Sequence, residues 1–374
     1  MLVKLKLALF ILLLGGCAYP ENEPSFPIRA EIVSSENGVY QLREVSFQTL
    51  TNLQHMEGSI AQLQGGASLN VSADVAEIIN SDEPDNIYRE RGKAVNLDYI
   101  VQDDLVIPKN FKSMEMLGLY YSYERTLLYW QDVMGINFSQ VGYPSVYYNP
   151  SFTASDDGQK TEVVLALNAA YLSGAKDFWF FKTSRMEKLP VKMNFGVIAH
   201  EFGHFIFDLY FAEFNPGFYE AEYSGSANQL SGINEGLADY FSFMVTGSVE
   251  EFGASLDELA EFRKMPVAWT LSELGQSACE GAFYCKGSIL ASALHEIATT
   301  TSSSAEEVGE AILTALPLFR DDWREYSNSA LFDYDRFLNR LIEVVDDTKK
   351  TEYCQIFLKW FNTDFFRGRL QCES

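Results

Sequence analysis

A chain of 374 residues, 47% hydrophobic and 14% aromatic, can bury one large or two moderate cores, and it carries no low-complexity tract or internal repeat. Its formal net charge of −24 argues against nucleic acid, and against an anionic membrane surface, as binding partners, because both would be repelled.

Lys4 and Lys6 open a targeting segment whose apolar run, Leu7 to Leu14, is too short to span a bilayer. The Leu14-Gly15-Gly16-Cys17 stretch that follows resembles a bacterial lipobox. That implies removal of residues 1–16, acylation of Cys17 as a membrane anchor and, with Ala18 rather than Asp next in line, an outer-membrane destination. Residues 17–47 read as a tether and extended lead-in, since Pro20, Pro24 and Pro27 oppose helix. Residues 48–110 are mixed and polar and suit a small N-terminal segment without a recognisable role. A helix is predicted from about Ser113 to Met134, stopped at Gly135. Val146–Asn149, Thr161–Asn168 and Asp177–Phe181 read as strands, the last either an edge beside a cleft or ordinary core. Downstream the pattern turns helical. One helix is entered at Ser231 and left at Gly247, and another covers Ser288–Ala298. A capping box, Ser304-Ala305-Glu306-Glu307, opens a third that Pro317 is expected to stop. Phe332–Val345 and Thr351–Phe361 have helical periodicity as well.

Beyond Cys17 stand Cys279, Cys285, Cys354 and Cys372. An even number in an exported chain suggests disulfides; four cysteines allow three connectivities, and local pairing (Cys279 with Cys285, Cys354 with Cys372) is the simplest. The spacings hold no C-x-x-C pair, which argues against a cysteine zinc site.

The stretch that carries chemistry is His200-Glu201-Phe202-Gly203-His204, in a chain with only 4 histidines. H-E-x-x-H sets two imidazoles one helical turn apart with a carboxylate beside them. Asn234-Glu235-Gly236-Leu237-Ala238-Asp239 adds two carboxylates, Glu235 and Asp239, on one helix face. Two nitrogens, one oxygen and an open fourth position make the donor set of a catalytic rather than a structural zinc site. The flanking Phe195, Val197, Ile198, Phe205 and Ile206 are core-like, and a buried carboxylate among them would be costly without a cation. Gly236 and Ala238 are small enough to let the second helix approach the histidine helix. Asp239 is placed to accept a hydrogen bond from the outer nitrogen of a ligand histidine, fixing its tautomer. Glu201, flanked by both histidines, stays free to serve as general base and then general acid.

His200–His204 with Asn234-Glu235-x-x-x-Asp239 resembles the gluzincin metallopeptidases, and Gly232-Ile233-Asn234-Glu235 resembles the thermolysin-like members in particular. Asn168-Ala169-Ala170-Tyr171-Leu172-Ser173-Gly174 is similar to the edge strand with which that family holds a peptide backbone. The similarity runs from about residue 110 to 300 and rests on these motifs. It implies an α+β fold of two lobes, with mixed strands and helices over 111–214, helices over 215–374, and zinc in the cleft. It also implies His200, His204 and Glu235 as zinc ligands, Glu201 as base, Asn234 and Asp239 behind the ligands, and Asn168 and Ala169 as substrate contacts. The family's oxyanion histidine has no counterpart in Ala282–Leu290; Tyr284, three residues before Gly287, and His295 are the candidates for its place. The expected protein is therefore an exported, lipid-anchored zinc metalloendopeptidase that cleaves peptide bonds with a water activated by Glu201 at one zinc ion. The alternative is a surface lipoprotein of the same fold that binds without turnover, and a zinc hydrolase of cell-wall peptides or other amides is a third reading.

Overall fold

A computed structural model describes residues 26–36, 39–72, 88–90, 92–156, 159–163, 169–182, 189–213, 227–255, 262–276, 283–326 and 334–372; the segment expected to target the chain, Cys17, Asn168 and Cys279 lie outside them. The architecture mixes α and β, compatible with the α+β expectation.

The first strands lie where the sequence suggested only a lead-in. β1 (Arg29–Glu36) and β2 (Val39–Ser46) pair antiparallel along their whole length. β3 (Leu50–Asn52) and β4 (Glu57–Gly58) form a small ladder of their own. β5 (Leu63–Gly65), β6 (Ser68–Ser72), β7 (Tyr88–Glu90), β8 (Lys93–Ala94), β9 (Tyr99–Gln102) and β10 (Leu105–Pro108) follow. After the first helix come β11 (Ser145–Tyr148), β12 (Ser151–Asp156), β13 (Gln159–Val163), β14 (Ala169–Leu172) and β15 (Asp177–Phe180). The larger sheets run β2-β1-β10-β9, β13-β12-β6-β7 and β14-β15-β11-β5-β8. Strands from 48–110 are thus woven into sheets with strands on either side: β10 lies parallel to β1, and β5 parallel to β11.

One strand expectation changes, and one left open is decided. The strand predicted over Thr161–Asn168 is β13, ending at Val163, and 164–168 lie outside the described residues. The aromatic run at Phe178 is interior rather than an edge. β15 lies between β14 and β11 with all four of its residues buried, because Phe178 packs on Tyr123 and stacks on Phe202. The edge strand is β14.

Helix α1 (Phe111–Leu128) begins two residues before the predicted start, because extended Asn110 caps it by accepting from the Ser113 amide at 2.8 Å. It runs on through a π-turn, Tyr129–Val133, to Gly135, whose φ of +71° ends it as predicted. α2 (Phe195–Phe207) carries the H-E-x-x-H motif, and Asn194 caps it by accepting from the Gly196 amide at 3.0 Å. α3 (Ala227–Thr246) carries Glu235 and stops at Gly247, φ +73°. α4 (Phe283–Thr300), α5 (Ala305–Tyr326), α6 (Tyr334–Val344), α7 (Asp347–Trp360) and α8 (Asp364–Arg367) complete the chain.

The capping box of α5 forms reciprocally, Ser304 N to Glu307 Oε2 at 2.9 Å and Glu307 N to Ser304 Oγ at 3.2 Å. Pro317, however, does not stop that helix, which continues to Tyr326. An interior proline costs about 3 kcal/mol. Here Ile312, Leu316 and Phe319 are fully buried around it, and large apolar side chains return about 1.5–3 kcal/mol each, enough to carry the helix through. Cys354 and Cys372 form a disulfide that ties the tail to α7, and Cys285 is buried in α4. No helix among the described residues is long and apolar enough to cross a membrane.

Candidate metal centre

The site is assembled by helices that approach closely at glycines. A Cβ on Gly203 of α2 would stand 2.7 Å from the Cα of Ala238 in α3, and one on Gly236 of α3 would stand 2.4 Å from the carbonyl oxygen of Gly287 in α4. Of the two small residues singled out in α3, Ala238 therefore faces the histidine helix while Gly236 faces α4. No side chain fits at either glycine without moving backbone, so these contacts fix how the three helices sit.

Within that frame His200, His204 and Glu235 each offer a donor atom, all within 4.8 Å of one another. His200 Nε2 lies 3.0 Å from His204 Nε2 and 3.4 Å from Glu235 Oε2, and His204 Nε2 lies 3.7 Å from Glu235 Oε1. Tetrahedral donors at zinc bond lengths stand about 3.3 Å apart, so these separations fit a single small cation. The outer nitrogens are committed elsewhere. His200 Nδ1 is 3.0 Å from Asp239 Oδ1, and His204 Nδ1 is 2.9 Å from Asn234 Oδ1. These acceptors suit a proton on each Nδ1 and turn both Nε2 atoms towards a common space, at the rim of which Arg263 Nη2 stands 3.2 Å from His200 Nε2. Asn234 and Asp239 thus stand behind the two histidines.

Arg263 completes the cluster, and nothing in the sequence pattern announced it. It is buried, donating from Nε to both Asp239 oxygens at 3.1 Å and from Nη2 to Asp239 Oδ1 at 2.5 Å and Glu235 Oε2 at 2.9 Å. Its guanidinium also lies over the rings of Phe252 and Tyr284. The one available signal was charge balance: two carboxylates placed in an apolar stretch need a cation besides the histidines. Burial would raise the Glu235 pKa, but Arg263, His204 and His200 outweigh it and hold the carboxyl well below the ordinary range. Burial and Arg263 both depress His200, yet its hydrogen bonds to Asp239 and Glu235 prevail and raise it to about 9 in the metal-free site.

Glu201 stands apart from the donor set. It is buried, and its Oε2 accepts from the backbone amide of Tyr171 in the edge strand β14 at 2.8 Å. The Tyr171 hydroxyl in turn donates to Asp208, fully buried just past the end of α2, at 2.7 Å. The edge strand is thereby pinned beside the carboxylate. Ala169 opens that strand, paired with Phe180; Asn168 precedes the described residues. Tyr284, near the start of α4, stacks on Arg263. Burial and the charges of Glu235 and Glu201 push its phenol up to about 12. His295 is not brought to the cluster. It lies more than two turns further along α4 with its ring on Phe243, and among the described residues no hydrogen bond or ion pair links it to the metal donors.

Compared with known proteins, the chain matches no family model and no curated protein.

Proposed function

We propose that this chain is a zinc-dependent metalloendopeptidase with a thermolysin-like two-lobe architecture, exported and anchored through Cys17. One observation carries the proposal: His200, His204 and Glu235 converge from two helices while Glu201, next in sequence to His200, is held out of the donor set on the Tyr171 amide. That is the division a hydrolase needs between groups that hold a metal and a group that moves a proton. In that architecture the strand-rich part up to α2 and the helices from α3 onward would form the two lobes, a division that the order of elements along the chain permits.

His200, His204 and Glu235 would hold the ion, with Arg263 leaving Glu235 Oε1 free by engaging Oε2. When bound, zinc would supply Lewis-acid polarisation and acidify water. An extended peptide would add to the outer side of β14 beside the Tyr171 amide that holds Glu201, where the remaining outward backbone groups would supply hydrogen bonds without demanding particular side chains. Glu201 would take a proton from the attacking water as its oxygen bonds to the scissile carbon. As the C–N bond breaks, it would pass that proton to the departing amine. Tyr284, still protonated at neutral pH, would donate to the oxygen that gains charge.

The test pairs metal analysis with a broad peptide-cleavage screen on the wild type and Glu201→Gln. One zinc in each, with cleavage by the wild type alone, is the expected result. Zinc in both with cleavage by neither would favour a binding lipoprotein, the reading to which the missing family histidine points. Absence of zinc from the wild type would remove the basis of the proposal.

A further inference from the structure

A pocket of about 350 Å³ opens at β11, β5 and β8, the part of the five-stranded sheet furthest in strand order from β14. Lys93 and Lys112, both exposed, line it with Asn96, Gly66, Tyr148 and Asn149. Among the described residues neither lysine makes an ion pair, and no carboxylate lines the pocket, on a chain of 28 basic and 52 acidic residues. Its volume falls within the range of small-molecule sites, roughly 300–1,000 Å³.

Beneath the pocket a third ammonium is built into the structure. Tyr148 donates to Glu115 at 2.5 Å, Glu115 pairs with Lys192 at 3.1 Å, and Lys192, 1% exposed, donates to the side-chain oxygen of Asn149. Asn149 itself holds a left-handed φ of 50°. A buried ion pair is weak evidence for stability, since its desolvation can exceed its attraction. Asn149 is thus fixed from below by a lysine that is itself paired, and the two exposed lysines, without ion-pair partners among the described residues, leave the pocket suited to negative charge.

We propose that this pocket binds a small polyvalent oxyanion, a phosphate or polycarboxylate group carried on a small molecule, independently of the metal centre. The test is isothermal titration of the full-length protein with inorganic phosphate and, separately, with tricarballylate. At least one probe is expected to bind, about tenfold more weakly in Lys93→Gln/Lys112→Gln and unchanged in Lys264→Gln, an exposed lysine that pairs with Glu250 outside the pocket. Whichever probe binds more tightly assigns the group. No binding of either probe up to about 10 mM, or a change within about threefold in the double variant, would overturn the proposal.

Discussion

Arg263→Met isolates the electrostatic logic of the centre, because methionine keeps much of the apolar stem while removing the charge. Asp239 would lose three N–H···O contacts, two of 3.1 Å and one of 2.5 Å, and Glu235 one of 2.9 Å. Asp239 is 3% exposed, so water cannot replace the guanidinium. Stripping one partner from a buried ion pair costs about 3–5 kcal/mol. His200, already inclined to protonate, can carry part of the load, which places the expected loss near the lower end, about 3 kcal/mol. A divalent ion would bring two positive charges to Glu235, and to Asp239 only through His200, so saturating zinc should recover part of that loss. The assay is a cycle of four urea-unfolding curves, wild type and Arg263→Met, each in chelator and in excess zinc. A penalty under about 1 kcal/mol in chelator, or one that zinc leaves unchanged, would refute the charge balance described above.

Gly236→Ala should gain about 1 kcal/mol of helix propensity and lose more to the Gly287 carbonyl at 2.4 Å, a net cost of roughly 1–3 kcal/mol with weakened metal binding. Thermal unfolding and a zinc-competition titration read both; an unchanged zinc affinity would show that the α3–α4 contact does not set the donors. Tyr171→Phe removes one of the bonds made to buried Asp208, costing about 0.5–1.5 kcal/mol, and should lower kcat while zinc content stays at one ion per chain. Wild-type kcat in that variant would mean that β14 is held beside Glu201 by other contacts. In metal-free protein His200 titrates near 9 against about 6.5 when unfolded. Its contribution is therefore whole below about 6.5 and lost as pH rises through about 9, on the order of 3 kcal/mol at 1.36 kcal/mol per pH unit. Unfolding in chelator from pH 6 to 9.5 should show that decline, and stability that stays level or rises over the interval would contradict it.

What the sequence disclosed depended on range. The histidine helix, the α3 stop at Gly247 and the α5 capping box were legible because each is written in residues within a turn or two of one another. Glu235 was legible because its i, i+4 partner Asp239 shares its helix face. The interleaving of β5 with β11 and β1 with β10 was not, since β5, β10 and β11 have only three or four residues and leave no countable alternation, and the pairing is decided by contacts more than 70 positions apart in sequence. Pro317 was misread for a related reason: a local rule about proline lost to burial on the faces of α5, which only the packed structure reveals. Arg263 was invisible because it sits in a stretch between helices where no period applies, and its role comes from the two carboxylates it meets.

The three-donor geometry has one governing element, and it is not the motif helix. Asp239 orients His200, Asn234 orients His204, and Glu235 supplies the third donor, all from α3. Each residue of helix advances about 100°, so a slip of α3 by one position would withdraw the ligand and both orienting groups together. Two glycine contacts oppose such a slip, Gly203 against Ala238 on one side and Gly236 against Gly287 on the other. Because a backbone contact has no rotamer to yield, the register of α3 is held in discrete steps rather than along a continuum. H-E-x-x-H supplies two nitrogens and the carboxylate proposed as base. Whether they face a common point is decided by the helix that carries Glu235, 31 positions after His204, with the third candidate donor, two hydrogen-bond acceptors and the glycine that lets it come close.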